Sequence, residues 1–144
     1  MLYEFRRYEV TPGKMPALLD RFGSFTVPKW KEEFGFRLIG FWTPDIGAPN
    51  DELIYILGWE SLEEREQKFH VWHNAPERAA RWTESEREGT LVRRVHNMLL
   101  QSTAHSPLER GDALGSDPAT RSPYIFELRQ YEAMPGKQIG RAHV

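Results

Sequence analysis

An α+β domain with the element order βαββαβ is what this chain predicts, and three observations lead there. Four segments have the alternating or β-branched and aromatic composition of strands. Two longer stretches carry apolar residues at three- and four-residue intervals. Clusters of Gly, Pro, Asn and Asp fall between them.

The first strand is Leu2 to Val10, in which Tyr3 and Phe5 alternate with Glu4 and Arg6 before the turn cluster Thr11, Pro12 and Gly13. A helix follows from Lys14, where Met15, Leu18, Leu19 and Phe22, and beyond them Trp30 and Phe34, repeat at helical spacing; Pro16 is tolerated in a first turn. Pro28 lies inside that pattern without an N–H to donate, which predicts a kink or a break near Thr26 or Val27. Gly35 stops the helix. Phe36 to Thr43 and Leu53 to Trp59 then read as an antiparallel hairpin around the turn-rich Pro44 to Asn50. Ser61 and Glu64 form a capping box, with Glu64 expected to bond the N–H of the cap residue, so a second helix starts there and presents Leu62, Phe69 and Trp72. After Asn74, Ala75 and Pro76 a further helical piece reaches Trp82 and ends by Gly89. Leu91 to Leu100 is the last strand, which completes a ferredoxin-like unit.

Both hairpin strands are apolar on both faces. Phe36, Leu38 and Trp42 oppose Ile39 and Phe41, and Leu53, Tyr55, Leu57 and Trp59 oppose Ile54 and Ile56. Right-handed crossovers put both helices on one side of such a sheet. Each large apolar side chain left wet on the other side forfeits about 1.5 to 3 kcal/mol, so a partner sheet is expected there.

Residues 102–123 are small, polar and rich in Pro and Gly, the composition of a linker. The beginning of the chain then returns: Phe126 to Lys137 aligns without gaps on Tyr3 to Lys14 and keeps the Glu, Arg, Tyr, Glu, Pro, Gly and Lys in register. Residues 124–144 therefore read as the truncated first strand of a second copy. Residues 139–144 match the translation of a common sequencing-adapter read, which makes that ending an artefact of assembly; the alternative is a genuine short C-terminus.

Composition excludes several classes. A formal charge of −2 with both signs interspersed offers no field for a polyanion, so no nucleic-acid partner is expected. With no cysteine there is no disulfide framework, thiolate metal site or thiol nucleophile. Strand-like sequence starts directly after Met1, leaving no room for a leader, and no apolar stretch approaches the roughly 20 residues that span a bilayer. These features predict a cytoplasmic chain with no membrane span.

Several ordered motifs resemble the NIPSNAP family: Tyr3-Glu-Phe-Arg-Arg-Tyr8 with Pro12-Gly-Lys14, Gly40-Phe-Trp42 with Gly47 and Asn50, Trp59-Glu-Ser-Leu-Glu-Glu-Arg65, and Asn97-Met-Leu-Leu100. The likeness covers residues 1–101 and recurs at 124–137. Phe5 stands where the family more often has Leu, as Leu128 does in the second copy. The resemblance implies a dimeric α/β barrel, in which two βαββαβ units set their sheets face to face, and tandem copies in one chain. It supplies no agreed enzymatic activity. Lacking a presequence, the chain reads as bacterial, and the mitochondrial and vesicle-traffic roles of eukaryotic members are not expected of it.

By analogy with related barrels that hold apolar substrates between sheet and helices, the residues expected to line such a cavity are Arg6, Tyr8, Trp42, Tyr55, Trp59, His73, His96 and Asn97. The competing reading makes Trp42, Tyr55 and Trp59 core and dimer packing. His70 and His73 share a helix face, with His96 as a third candidate ligand, yet no acidic residue is spaced with them as in a metal-binding helix; no metal and no cofactor is expected. Arg6 with Glu4, repeated as Arg129 with Glu127, reads as an ion pair, and Glu60 to Glu66 as a charged first turn needing no partner. Two functions follow. One is a small-molecule-binding or interaction module that pairs with a second copy or a second repeat. The other is a cofactor-independent oxygenase or isomerase acting on a small aromatic or quinone-like molecule. A haem protein with a histidine ligand ranks below both.

Overall fold

A computed structural model describes residues 1–106, 125–132 and 134. Most of the expected linker, and the ending at 139–144, lie outside the described residues. The chain divides into two units, Met1–Gln101 and Ser102–Val144.

In the first unit the elements follow the expected order: β1 (Leu2–Val10), α1 (Met15–Arg21), a π turn (Phe22–Thr26), α2 (Val27–Glu32), β2 (Arg37–Trp42), β3 (Glu52–Trp59), α3 (Leu62–His73), α4 (Pro76–Ser85) and β4 (Val92–Gln101). The strands form one antiparallel sheet in the order β2-β3-β1-β4, that of a ferredoxin-like fold. Pro28 acts through the hydrogen bond it cannot make. The ladder widens just before it, and Val27 N–H donates to the carbonyl of Phe22, five residues back, so the break becomes a π turn that keeps α1 and α2 in one path. Gly35, at φ 62°, supplies the left-handed residue after α2.

At α3 the Ser61 hydroxyl accepts from Glu64 N–H, as the capping box requires. The reciprocal bond is displaced by one residue: the Glu64 carboxylate accepts from Glu60 N–H at 2.6 Å, not from the cap itself. Phe69 and Trp72 are buried, whereas Leu62, in the first turn, is half exposed.

One expectation about the hairpin fails. Leu38 pairs with Leu57 and Gly40 with Ile56, so Ile39 is a bulge, and residues beyond it change sides. Phe41 therefore joins the helix-covered face and stacks on Tyr55 at 5.1 Å, while Trp42, paired with Ile54, lies on the opposite face. A Cβ at Gly40 would sit 2.5 Å from the Trp42 ring folded over it, so a larger residue there would have to displace that ring.

The core lies under the helices. Tyr55, Leu57 and Trp59 of β3 meet Phe22, Trp30, Phe36, Phe69 and Trp72, with rings in edge or stacked contact at 4.8 to 5.9 Å. The other sheet face carries Phe5, Ile54, Ile56, Met98 and Leu100 by strand alternation, with Met98 and Leu100 exposed. Among the described residues no helix is long and apolar enough to cross a membrane.

Candidate functional site

On β1 the side facing the helices reads Leu2, Glu4, Arg6, Tyr8, Val10, three polar residues where alternation calls for core. A carboxylate so placed must be satisfied completely or destabilise the fold. Glu4 is 0% exposed, and its oxygens accept from Arg6 Nη1 at 2.8 Å, Arg65 Nε at 2.8 Å, Arg65 Nη2 at 2.9 Å, Trp59 Nε1 at 3.1 Å and Asn97 Nδ2 at 3.3 Å. The Arg65 contact is a two-pronged fork, the strongest geometry for this pair. Burial pushes the Glu4 carboxyl up, but the Arg65 hydrogen bonds, the Arg6 and Arg65 charges and the Asn97 amide outweigh it and hold the group below 4.5.

Above Glu4 the strand continues into a phenol pair. Tyr55 O–H donates to the Tyr8 oxygen at 2.6 Å, and Arg6 Nη2 donates to the same oxygen at 3.3 Å. Burial first, and the neighbouring Tyr8 second, push the Tyr55 phenol well above 10.0, so it stays a protonated donor. Tyr8 accepts from both partners, and its own O–H remains free to donate. Burial draws the Arg6 guanidinium down, while Tyr55, Tyr8 and Glu4 together raise it further, so it stays a cation.

Two elements close the group from the helix side. His73, near the end of α3, stacks on Phe69 at 5.4 Å and is pulled below 6.5 by burial first, then by the charges of Arg78, Arg6 and Arg65; it is a neutral imidazole at pH 7. On α4, Trp82 carries two guanidinia, Arg21 at 4.1 Å and Arg78 at 4.4 Å from its ring centre. Arg21 is paired with Glu86 at 3.0 Å.

Of the eight residues expected to line a cavity, the structure brings Arg6, Tyr8, Tyr55, Trp59, His73 and Asn97 to this one side of the sheet. Trp42 and His96 lie on the other. The bulge at Ile39 moves Trp42, and β4 alternation places His96 there, where it meets the Glu9 carboxylate at 2.7 Å. Tyr55 and Trp59 are buried in the core, and both also donate to the polar group. Asn74 Nδ2 donates to the His70 backbone carbonyl at 2.8 Å, and among the described residues no three His, Cys, Asp or Glu side chains gather as a metal site would need.

Sequence reasoning missed three participants. Glu4 forms the ion pair with Arg6 that the spacing predicts, but its place at the centre of the network goes unread. Arg65, within the charged turn that needed no partner, crosses to the sheet. Arg78 was not singled out. A signal existed for the first: a Glu, an Arg and a Tyr at every second position, on the strand face that must be buried.

The comparisons bear on the family and the fold. The NIPSNAP family model matches residues 3–107. A NipSnap protein of Caenorhabditis elegans is 23% identical over 144 aligned positions covering 96% of this chain, and the chain spans about a quarter (24%) of that relative's length. A NIPSNAP family protein from Agrobacterium tumefaciens, solved by crystallography, matches with 26% identity over 74% of this chain and 97% of its own, at a TM-score of 0.66. A Nitrosomonas europaea protein assigned to antibiotic biosynthesis monooxygenases matches at 7% identity over 71% of this chain and 98% of its own, with a TM-score of 0.50; that likeness is one of fold alone. By sequence, strand order and structural likeness together, the chain belongs to the NIPSNAP family.

Proposed function

We propose that this NIPSNAP domain is a cytoplasmic small-molecule-binding module working as a face-to-face pair of sheets, formed by two copies of the chain or with the second copy of the domain that residues 124–137 begin. The observation that carries the pairing is the sheet face bearing Phe5, Ile54, Ile56, Met98 and Leu100, while the helical core packs on the other face. Met98 and Leu100 are exposed there and Phe5, Ile54 and Ile56 half-buried, and covering a fully exposed side chain of this kind stabilises by about 1.5 to 3 kcal/mol. The ligand would lie on the helix side, where Val95, Asn97 and Leu99 of β4 are exposed beside Tyr8, Arg6 and Glu4, their register partners on β1. Light scattering of the 144-residue chain across dilution tests the pairing. A dimer mass that falls to a monomer in Ile56→Lys is expected; a wild-type monomer at every concentration overturns pairing between two copies of this chain.

The enzymatic reading, a cofactor-independent oxygenase or isomerase on a small aromatic or quinone-like substrate, draws on one specific observation. His73 is a neutral imidazole within electrostatic reach of Arg6, which itself donates to Tyr8, and in that state it can accept a proton. Turnover of a hydroquinone panel that disappears in His73→Ala supports it. Absence of turnover in the wild type removes it.

A further inference from the structure

Arg78 is out of balance with its surroundings. Both Arg21 and Arg78 cover the Trp82 ring, and the Nε of each is fully buried with no hydrogen-bond partner, but Arg21 has the Glu86 carboxylate whereas Arg78 has no ion pair among the described residues. Covering an indole needs no second guanidinium: a Met or Leu side chain would do it without the desolvation and the repulsion from Arg21 that hold Arg78 below its ordinary value. Glu4 offers no relief. Its two oxygens already accept five donors, more than the roughly four lone-pair directions a carboxylate presents. Tyr8 lies within electrostatic reach of both Arg6 and Arg78 and keeps its O–H to donate.

A guanidinium that lies over Trp72 and Trp82 but has no carboxylate, and a hydroxyl with its proton to donate, are two groups that can bind a planar anion. Val95, the register partner of Tyr8 on β4, and Leu99, on the same face of that strand, are exposed and apolar, and they suit an apolar body rather than a free inorganic ion. Resting on the ligand-binding reading above, the geometry points to a carboxylate site: Arg78 and Tyr8 hold the head of a small aromatic or aliphatic acid whose body lies along Val95 and Leu99. His73 is the reporter built into the site. It feels Arg78, Arg6 and Arg65 at once, and an anion seated among them would offset the charges that now depress it.

The test uses benzoate and its neutral isostere benzamide on the whole chain, followed by the His73 imidazole resonance in NMR titrations. Benzoate is expected to shift that resonance saturably, to raise the His73 pKa and to bind at least about tenfold more tightly than benzamide, the factor that one charge-assisted bond supplies. Arg78→Met, which keeps a side chain over Trp82, should raise the ligand-free His73 pKa and remove the preference for benzoate. Benzamide binding as well as benzoate, or a preference unchanged in Arg78→Met, overturns the carboxylate site while leaving a ligand pocket. If neither probe moves His73, the pocket itself falls, and sheet pairing is still judged separately by mass. The two probes on the wild type decide the matter even if the variant does not fold.

Discussion

The chain contains the same short pattern twice, and the two copies differ in almost everything except their local contacts. In β1, Arg6 reaches Glu4 at 2.8 Å and bonds Tyr8; at the other end Arg129 reaches Glu127 at 2.7 Å and bonds Tyr131. The spacing of two residues is enough to make the pair in both places. In β1 the side chains are 0% and 14% exposed, and Arg65, Trp59 and Asn97 converge on the carboxylate; in the second, Glu127 and Arg129 are 65% and 63% exposed. Ion pairs at a surface are worth about 0 to 1 kcal/mol, but breaking one in an interior strands a charge and costs about 3 to 5 kcal/mol. The motif alone therefore does not specify a role; burial by partners from other elements makes it a structural centre.

The sharpest way to break that comparison is to remove the same charge from each copy. Glu4→Gln leaves Arg6 and Arg65 without their shared carboxylate and should lower unfolding free energy by about 3 to 5 kcal/mol in denaturant titrations. Glu127→Gln should change it by less than about 0.5 kcal/mol. Equal effects would mean that Glu4 is solvated and that the network around it does not exist. Acid gives the same contrast. The Glu4 carboxyl is held below 4.5, so its contribution is full above that value and is lost as pH falls through the lower folded value. The acid limb of the wild-type stability curve should be steeper than that of Glu4→Gln, and Glu127→Gln should follow the wild type.

How much of this could be read from the chain follows from which elements are local. Pro28, Gly35 and the Ser61 cap act within a few residues of themselves, and they appear where periodicity put them, the proline break resolved as a π turn. The bulge at Ile39 was not legible. It depends on which registers of β2 and β3 pair, and its one-residue slip reverses Phe41 and Trp42. For the site, alternation along β1 was sufficient to group Arg6 with Tyr8. Arg65 and Arg78 come from helices whose rotation over the sheet is set by Phe69, Trp72 and Trp82, and no spacing in the sequence connects them to β1. His96 faces the other side for the plain reason that it alternates with Asn97.

The smallest effect separates the two tyrosines. Tyr55→Phe keeps the ring stacked on Phe41 and in edge contact with Tyr8 and removes only the O–H that bonds the Tyr8 oxygen, which Arg6 still serves. One such bond is worth about 1 kcal/mol, and that is the expected loss at neutral pH; Tyr131→Phe should lose nothing measurable. The Tyr55 phenol is raised above 10.0, so its protonated form stabilises the fold fully below that pH, and this contribution is lost as pH rises through the higher folded value. The gap between wild type and Tyr55→Phe should therefore narrow in alkali, in thermal melts run from neutral pH upward. A gap that stays constant would show that the Tyr55 hydroxyl is in water, and would remove the donor that leaves Tyr8 free to hold a ligand.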